Sequence, residues 1–335
     1  MPAPTPTAKP VVRPAAKPVA RPTVVTGSTK ITPVAQTPHS PAVPQTLPPF
    51  CIQTREDREK HKFLKLLVYG DYGVGKTFLA ATASEIASMN DVLLLNAESG
   101  ELTIDSLEKK LNAASLAASF EKIDTVPIPD YRTISEVFKF LKLHCKYRDL
   151  KSPEAEARLR AMQSRLTGVP AEQIKTPKRY RTAIIDSLSE VEAYCMNQLL
   201  GVSETTELHE EVASAEWSEY KKQHSMVQRL VRAYRDLPMH VVIICARSYI
   251  QDEQKRMLFS PALTGKLSSQ VQGFMDMVGY YVLGNPKDDG TIPRRLYVQP
   301  VGKFSAKCRF SNYRGAYFDD PTMGSILQQV GLLKQ

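Results

Sequence analysis

Residues 70–77 read G-D-Y-G-V-G-K-T, a complete G-x-x-x-x-G-K-[ST]. Glycines in such a run let backbone N–H groups curl around phosphate oxygens, so Gly70, Asp71, Tyr72, Gly73, Val74 and Gly75 supply a cradle. Lys76 is the point charge that reaches the terminal phosphates, and the Thr77 hydroxyl is a hard ligand for Mg²⁺. Phe78 follows where a helix opens and adds its N–H groups to the phosphate site. The chemistry these types and spacings permit is binding of a nucleoside triphosphate with Mg²⁺ and transfer of its terminal phosphoryl group.

A second element stands about 110 residues on. Residues 183–187 read A-I-I-D-S, an apolar run that ends in Asp186. A carboxylate at that place holds Mg²⁺ through water, and Ser187 shares the same network. Hydrolysis also needs a base that aligns the attacking water. Two glutamates compete. Glu98 follows L-L-L-N-A and emerges at the carboxyl end of a strand, where ligands bind in open α/β sheets. Glu190 lies four residues past Asp186, one turn into a helix. Asp186 is followed by Ser rather than Glu, and the geometry favours Glu98; the structural alternative is that Glu98 only begins a turn with Ser99 and Gly100.

These residues need elements to place them. Residues 63–69 (F-L-K-L-L-V-Y), 91–97 (D-V-L-L-L-N-A), 180–186 (Y-R-T-A-I-I-D) and 239–246 (M-H-V-V-I-I-C-A) read as buried strands. Residues 275–283 and 295–301 read as further strands. Helical spacing is expected over 78–89, 133–147, 153–166, 187–200, 213–237 and 321–333. Strands alternating with helices predict an α/β fold with a mainly parallel central sheet flanked by helices.

Composition bounds the reading. The chain has 335 residues, 42% apolar and 24% charged, enough for one large domain or two small ones. It has no apolar run long enough for a transmembrane helix, and its basic N-terminus lacks the apolar stretch of a secretory signal. Five scattered cysteines without C-x-x-C, and six histidines without paired spacing, disfavour a disulfide framework and a protein-ligated metal centre. A cytoplasmic protein is expected. The net charge of +9 is uneven. Residues 1–50 carry five Lys or Arg and no acid, and residues 145–181 carry ten against four acids. The expected organisation is a disordered, basic, Pro-rich tail over 1–49 and one ATPase domain over 50–335, with 145–181 as a basic insertion. In the tail Lys-Pro or Arg-Pro recurs every four residues from Lys9 to Pro22, which predicts extended, partly polyproline II chain. It is a solvated linker or an electrostatic arm.

Together these residues resemble the RecA-like ATPases. In that superfamily the strand after the phosphate loop ends in the catalytic glutamate, which matches N-A-E-S-G at 96–100. The Asp-Ser that closes the next element matches Asp186-Ser187. A later strand, here 241–247 (V-V-I-I-C-A-R), ends in a polar γ-phosphate sensor; Arg247 or Ser248 stands where Gln or His is usual, and a surface Arg is the other reading. Lys307-Cys308-Arg309-Phe310 resembles the K-x-R-F of the RadA and KaiC branch, whose two cations act in trans on a neighbour's γ-phosphate. With Lys303 and Arg314 beside it, a nucleic-acid surface is the second reading. The order of elements, with W-x-x-Y (Trp217, Tyr220), P-A-L-T-G-K-L at 261–267 and A-K-C-R-F at 306–310, resembles the phage AAA-type nucleotide-binding proteins. These include single-strand annealing proteins of the Sak type. The resemblance implies ATP rather than GTP, Mg²⁺, a homo-oligomeric ring or filament, and single-stranded DNA contacted by residues 248–266. It implies phage-type recombination or annealing, in the host cytoplasm. In that segment Lys255, Arg256, Phe259 and Lys266 suit phosphate contact and base stacking, or Phe259 packs in an ordinary loop. Trp217 reads as a packing anchor rather than a stacking residue. A rival function is an ATP-switched module with little turnover that recruits a replication or packaging partner, a single-strand-binding protein among them, through the tail. No membrane partner is expected. A small-molecule kinase ranks third.

Overall fold

The computed structural model describes residues 54, 62–98, 123–203, 205–207, 209–251, 255 and 257–333. The tail expected over 1–49, together with Ser99, Gly100 and Arg256, lies outside them.

The core is a single sheet. Strand β1 (Lys65–Gly70) is buried along its whole length, as a near-continuous apolar run covered on both faces should be. Its parallel neighbours are β5 (His240–Gln251) on one side and β7 (Met277–Leu283) on the other. Beyond β5 lie β4 (Thr182–Asp186), β2 (Val92–Asn96) and, at the edge, β3 (Ile123–Pro127), all parallel. Beyond β7 the sheet turns antiparallel through β8 (Arg294–Tyr297) and β10 (Tyr317–Asp319). Short β9 (Lys307–Cys308) pairs antiparallel with the start of β7.

Alternation along the strands builds two apolar layers. Leu66, Val68, Leu94, Ile184, Val242 and Ile244 face Leu79 of helix α1 (Lys76–Ala81) and Ile326 of α7 (Met323–Gln329). Leu67, Tyr69, Leu93, Leu95, Ile185 and Ile243 face the other helices: α2 (Tyr131–Arg148), α4 (Leu188–Leu199), α5 (Trp217–Arg235) and α6 (Leu267–Phe274). On α5 the residues Gln223, Val227, Leu230, Val231 and Tyr234 form the buried stripe. The Tyr234 hydroxyl donates to the Ile134 carbonyl at 2.8 Å and the Tyr131 hydroxyl to the Met226 carbonyl at 2.8 Å, which locks α2 against α5. Asp130 caps α2, and Ser152 with Pro153 opens α3 (Pro153–Thr167).

Several expectations need correction. The helix expected over 78–89 is α1 followed by a tight turn at Thr82–Glu85. There the Thr82 and Ser84 hydroxyls bond back to the carbonyls of Leu79 and Ala81, a local alternative to continued helix. Residues 248–266 are not one loop: β5 runs on to Gln251 and returns as antiparallel β6 (Met257–Pro261). The Trp217 side chain is 73% exposed and is no packing anchor, because the buried stripe of α5 begins at Gln223. In the basic segment 145–181 five of the ten cations are ion-paired among the described residues, and three carboxylates take all five. Arg148 pairs with Asp149, Arg160 and Arg179 with Glu156, Lys178 with Asp124 and Arg181 with Asp149. No helix among the described residues is long and apolar enough to cross a membrane.

Candidate nucleotide-binding site

Parallel register brings the sequence-predicted residues to one end of the sheet. Gly70, the last residue of β1, lies opposite Ala246, so the phosphate loop leaves the sheet beside Arg247. Asp186 ends β4 opposite Asn96, and the Ala97 N–H donates to the Asp186 carbonyl at 2.6 Å, so Glu98 emerges next to Asp186. Glycine is required at two loop positions. A Cβ on Gly70 would stand 2.2 Å from the Tyr281 carbonyl oxygen of β7, and Gly75 takes φ 95° as it starts α1.

The Thr77 hydroxyl donates to Asp186 Oδ2 at 2.6 Å, a contact across 109 residues. Lys76 folds back on the loop, its Nζ donating to the Gly70 carbonyl at 3.1 Å and the Asp71 carbonyl at 2.7 Å. Burial pulls the Lys76 ammonium below the usual lysine range, and the negative charges of Glu98 and Asp186 work against that. Asp186 is 4% exposed. Burial chiefly, with the Glu98 charge added, pushes its carboxyl up to about 6, while the Thr77 hydrogen bond and Lys76 hold it down. Glu98 is exposed at the strand end and acts electrostatically on both Lys76 and Asp186, and Glu190 lies in the first turn of α4.

These residues fit a magnesium nucleotide. Hydroxyl and carboxylate oxygens are the ligands a hard divalent cation takes, and phosphates complete such a site. The Ser187 hydroxyl beside them is buried without a partner among the described residues, as a group waiting on a bound ligand or its water would be. Thr77 and Asp186 would hold Mg²⁺, and Gly70 to Phe78 would hold the phosphates.

Two arginines bracket the loop. Arg247 Nε pairs with Asp71 Oδ1 at 2.8 Å, Nη1 reaches the Tyr280 hydroxyl at 3.3 Å, and the guanidinium lies 4.5 Å over the Phe259 ring. These contacts hold the Arg247 side chain beside the phosphate loop. Sequence reasoning missed Arg294. Its Nε donates to the Val74 carbonyl at 3.0 Å, and it packs 3.3 Å from where a Gly75 Cβ would stand. The signal was the Arg294-Arg295 pair opening an apolar strand: alternation sends Arg295 to Asp319 on one face and Arg294 to the loop on the other.

Lys307 and Arg309 are not at this end of the sheet. β9 pairs with Met277 and Val278, which lie at the start of β7. In register Met277 and Val278 stand beside Leu66 and Leu67, so Gly70 lies about 10–13 Å further along the strands. Lys307 Nζ donates to the Gln272 carbonyl at 2.7 Å and Arg309 Nη2 to the Gly273 carbonyl at 2.7 Å, so the pair caps the carboxyl end of α6. Arg309 also pairs with Asp276.

Among solved structures, the chain is similar to a KaiC-like protein of the hyperthermophilic archaeon Pyrococcus horikoshii OT3, with 12% identity, a TM-score of 0.39, and 77% of this chain and 86% of that chain covered. It is also similar to the flagellar accessory protein FlaH of Methanocaldococcus jannaschii, with 11% identity, a TM-score of 0.35, and 80% and 92% covered. No curated protein matches it. A family model of the AAA domain (AAA_24) matches residues 62–310, a span that holds the phosphate loop, Asp186, Glu98 and both flanking arginines, and the chain belongs to that family.

Proposed function

We propose that the chain is a Mg²⁺-dependent ATPase of RecA-like type that acts on single-stranded DNA, in recombination or annealing of the phage kind, as a homo-oligomeric ring or filament. The observation that carries the ATPase reading is the 2.6 Å contact between Thr77 and Asp186 at the sheet end that also bears Lys76 and Glu98. The strand order supports the RecA-like reading, with β5 inserted between the phosphate-loop strand and the Asp186 strand.

In this reading the backbone of Gly70 to Phe78 binds the phosphates. Lys76 leaves the Gly70 and Asp71 carbonyls to meet the terminal phosphates, and its charge offsets the negative charge that develops there. Thr77 and Asp186 would hold Mg²⁺, which when bound would supply Lewis-acid stabilisation of the developing charge. Glu98 orients the attacking water and accepts its proton. Arg247 takes the sensor position. Its partner Asp71 is part of the loop, so a bound triphosphate competes directly for the guanidinium. In an assembly Lys307 and Arg309 act in trans on a neighbour's site, and to do so they give up the α6 carbonyls.

The single-stranded DNA reading rests on the motif order around Trp217, 261–267 and 306–310. Turnover measured with and without single-stranded DNA tests it. Stimulation by DNA is expected. Slow hydrolysis indifferent to DNA would favour the rival, an ATP-switched module that recruits a replication or packaging partner through the tail.

A further inference from the structure

A groove of 680 Å³ runs between the amino-terminal turns of α5 and the turn that precedes α6, apart from the nucleotide site. Trp217, Tyr220, Lys221 and His224 line one wall, at the i, i+3, i+4 and i+7 spacing of a single helix face. Gly265 and Lys266 line the other. Tyr220 is 40% exposed, and Trp217 is more exposed still, so the face leaves two large aromatic rings uncovered. Such rings are ordinarily kept from water by packing. Lys221 Nζ lies 5.6 Å over the Trp217 ring, and neither Lys221 nor Lys266 makes an ion pair among the described residues. The carboxylate in the lining, Glu192, is buried, and both its oxygens accept the Thr264 N–H, at 3.0 and 3.1 Å. Glu219 sits on the opposite face of α5, paired with Lys222.

Open aromatic faces, two unpaired ammonium groups and a carboxylate already spent describe a site for a ligand that is both anionic and flat. Single-stranded nucleic acid has that chemistry: bases stack on aromatic rings and phosphates meet lysines. We propose that this groove binds single-stranded DNA, with bases stacked on Trp217 and Tyr220 and phosphates met by Lys221 and Lys266. The inference rests on the reading of single-stranded DNA as the partner, and it assigns the surface.

The groove is wired to the nucleotide site. Helix α4 starts two residues after Asp186. In its first turn the Ser189 hydroxyl accepts from the Ala246 N–H at 3.2 Å and donates to the Ala262 carbonyl at 3.0 Å. One turn later Glu192 holds Thr264, and the Gln223 amide of α5 donates to the Glu192 carbonyl at 2.9 Å. One helix therefore touches the Mg²⁺ ligand, the turn that carries Lys266 and the helix that carries Trp217, so DNA in the groove and nucleotide at the loop bias each other.

Trp217 is the only tryptophan in the chain, so intrinsic emission reports on this groove alone. The full chain is titrated with fluorescein-labelled oligo(dT), following anisotropy of the label for binding and tryptophan emission for the groove. The expected result is quenching of Trp217 in step with anisotropy. Trp217→Ala should bind about tenfold more weakly, the scale of one lost base stack. Lys221→Ala with Lys266→Ala should lower the salt slope by about 1.4, two phosphate contacts on a single strand. All these positions are exposed, so the variants fold, and ATP turnover without DNA stays at the parent rate. Binding by anisotropy with silent Trp217 emission and unchanged variants would overturn the groove and leave the DNA reading standing. Absence of oligonucleotide binding would remove both. The segment 204–219 holds six Glu and no Lys or Arg. Quenching by a basic Pro-rich peptide of residues 5–24, with none by oligo(dT), would overturn the proposal and give the groove to a peptide.

Discussion

Asp186→Asn should stabilise the nucleotide-free protein while abolishing its turnover. The Asp186 carboxyl lies almost wholly inside the protein, and it is pushed up to about 6 from an ordinary 3.8. A carboxyl raised in this way contributes stability that is fully present below pH 3.8 and lost as pH rises through about 6. Above that, ionised Asp186 costs about 3 kcal/mol, from 1.36 kcal/mol per pH unit over the shift. The amide keeps the acceptor for Thr77 but buries an NH₂ group, so a net gain of about 1–2 kcal/mol is expected at pH 7.5. Urea unfolding followed by circular dichroism, in EDTA and without nucleotide, measures it. At pH 4.5 the parent carboxyl is mostly protonated when folded, its cost falls to about 1 kcal/mol, and the net advantage should vanish. Adding ATP with Mg²⁺ should reverse the order, because the parent gains binding free energy and the variant does not. A variant less stable than the parent at pH 7.5, or equally shifted at both pH values, would refute the reasoning that burial of charge dominates this site.

Other substitutions separate the roles. Glu98→Gln should keep nucleotide affinity and lose about 10²-fold or more in turnover, with Glu190→Gln near the parent rate; single-turnover hydrolysis distinguishes the two bases. Arg294→Ala removes the bond to the Val74 carbonyl and should weaken binding of a fluorescent ATP analogue about tenfold, the scale of one charge-assisted hydrogen bond. The parent should also lose stability in acid through His240. Its Nδ1 accepts the Leu64 N–H at 3.0 Å, and burial, with Lys65, Arg148 and Arg181 nearby, pushes it down to about 3. That contribution is fully present above pH 6.5 and is lost as pH falls toward 3, about 3 kcal/mol by pH 4.5. His240→Asn keeps an acceptor for Leu64 and should flatten the difference in urea midpoint between pH 7.5 and pH 4.5 on that scale.

The buried parallel strands announced themselves because apolar side chains predominate in a strand covered on both faces. K-L-L-V-Y-G, V-L-L-L-N, T-A-I-I-D and the core of H-V-V-I-I-C-A-R are such runs. Their polar ends marked the site, since a parallel sheet puts the carboxyl ends of all its strands together; that is why Lys76, Thr77, Asp186, Glu98 and Arg247 were readable without coordinates. What was not readable depends on partners distant in sequence. Edge strand β3 (I-D-T-V-P) and hairpin strand β6 are half-exposed and carry a mixed pattern that only their neighbours resolve. Arg294 acts on a carbonyl 220 residues away. Lys307 and Arg309 show the opposite difficulty. Their spacing resembles a trans-acting pair, but it carries no sign that within the chain both hold the carboxyl end of α6. Trp217 was misplaced because composition alone makes a sole tryptophan look like core, whereas the helix phase sets its ring on the open side.

ATP hydrolysis at this sheet end is the activity proposed for the chain. Phosphate release from ATP by the purified full chain, with Mg²⁺ and then with EDTA, for the parent and Lys76→Ala, tests it most directly. Mg²⁺-dependent turnover is expected in the parent, raised by single-stranded DNA, and Lys76→Ala should lose it. Equal rates in parent and variant, or turnover that survives EDTA, would contradict it.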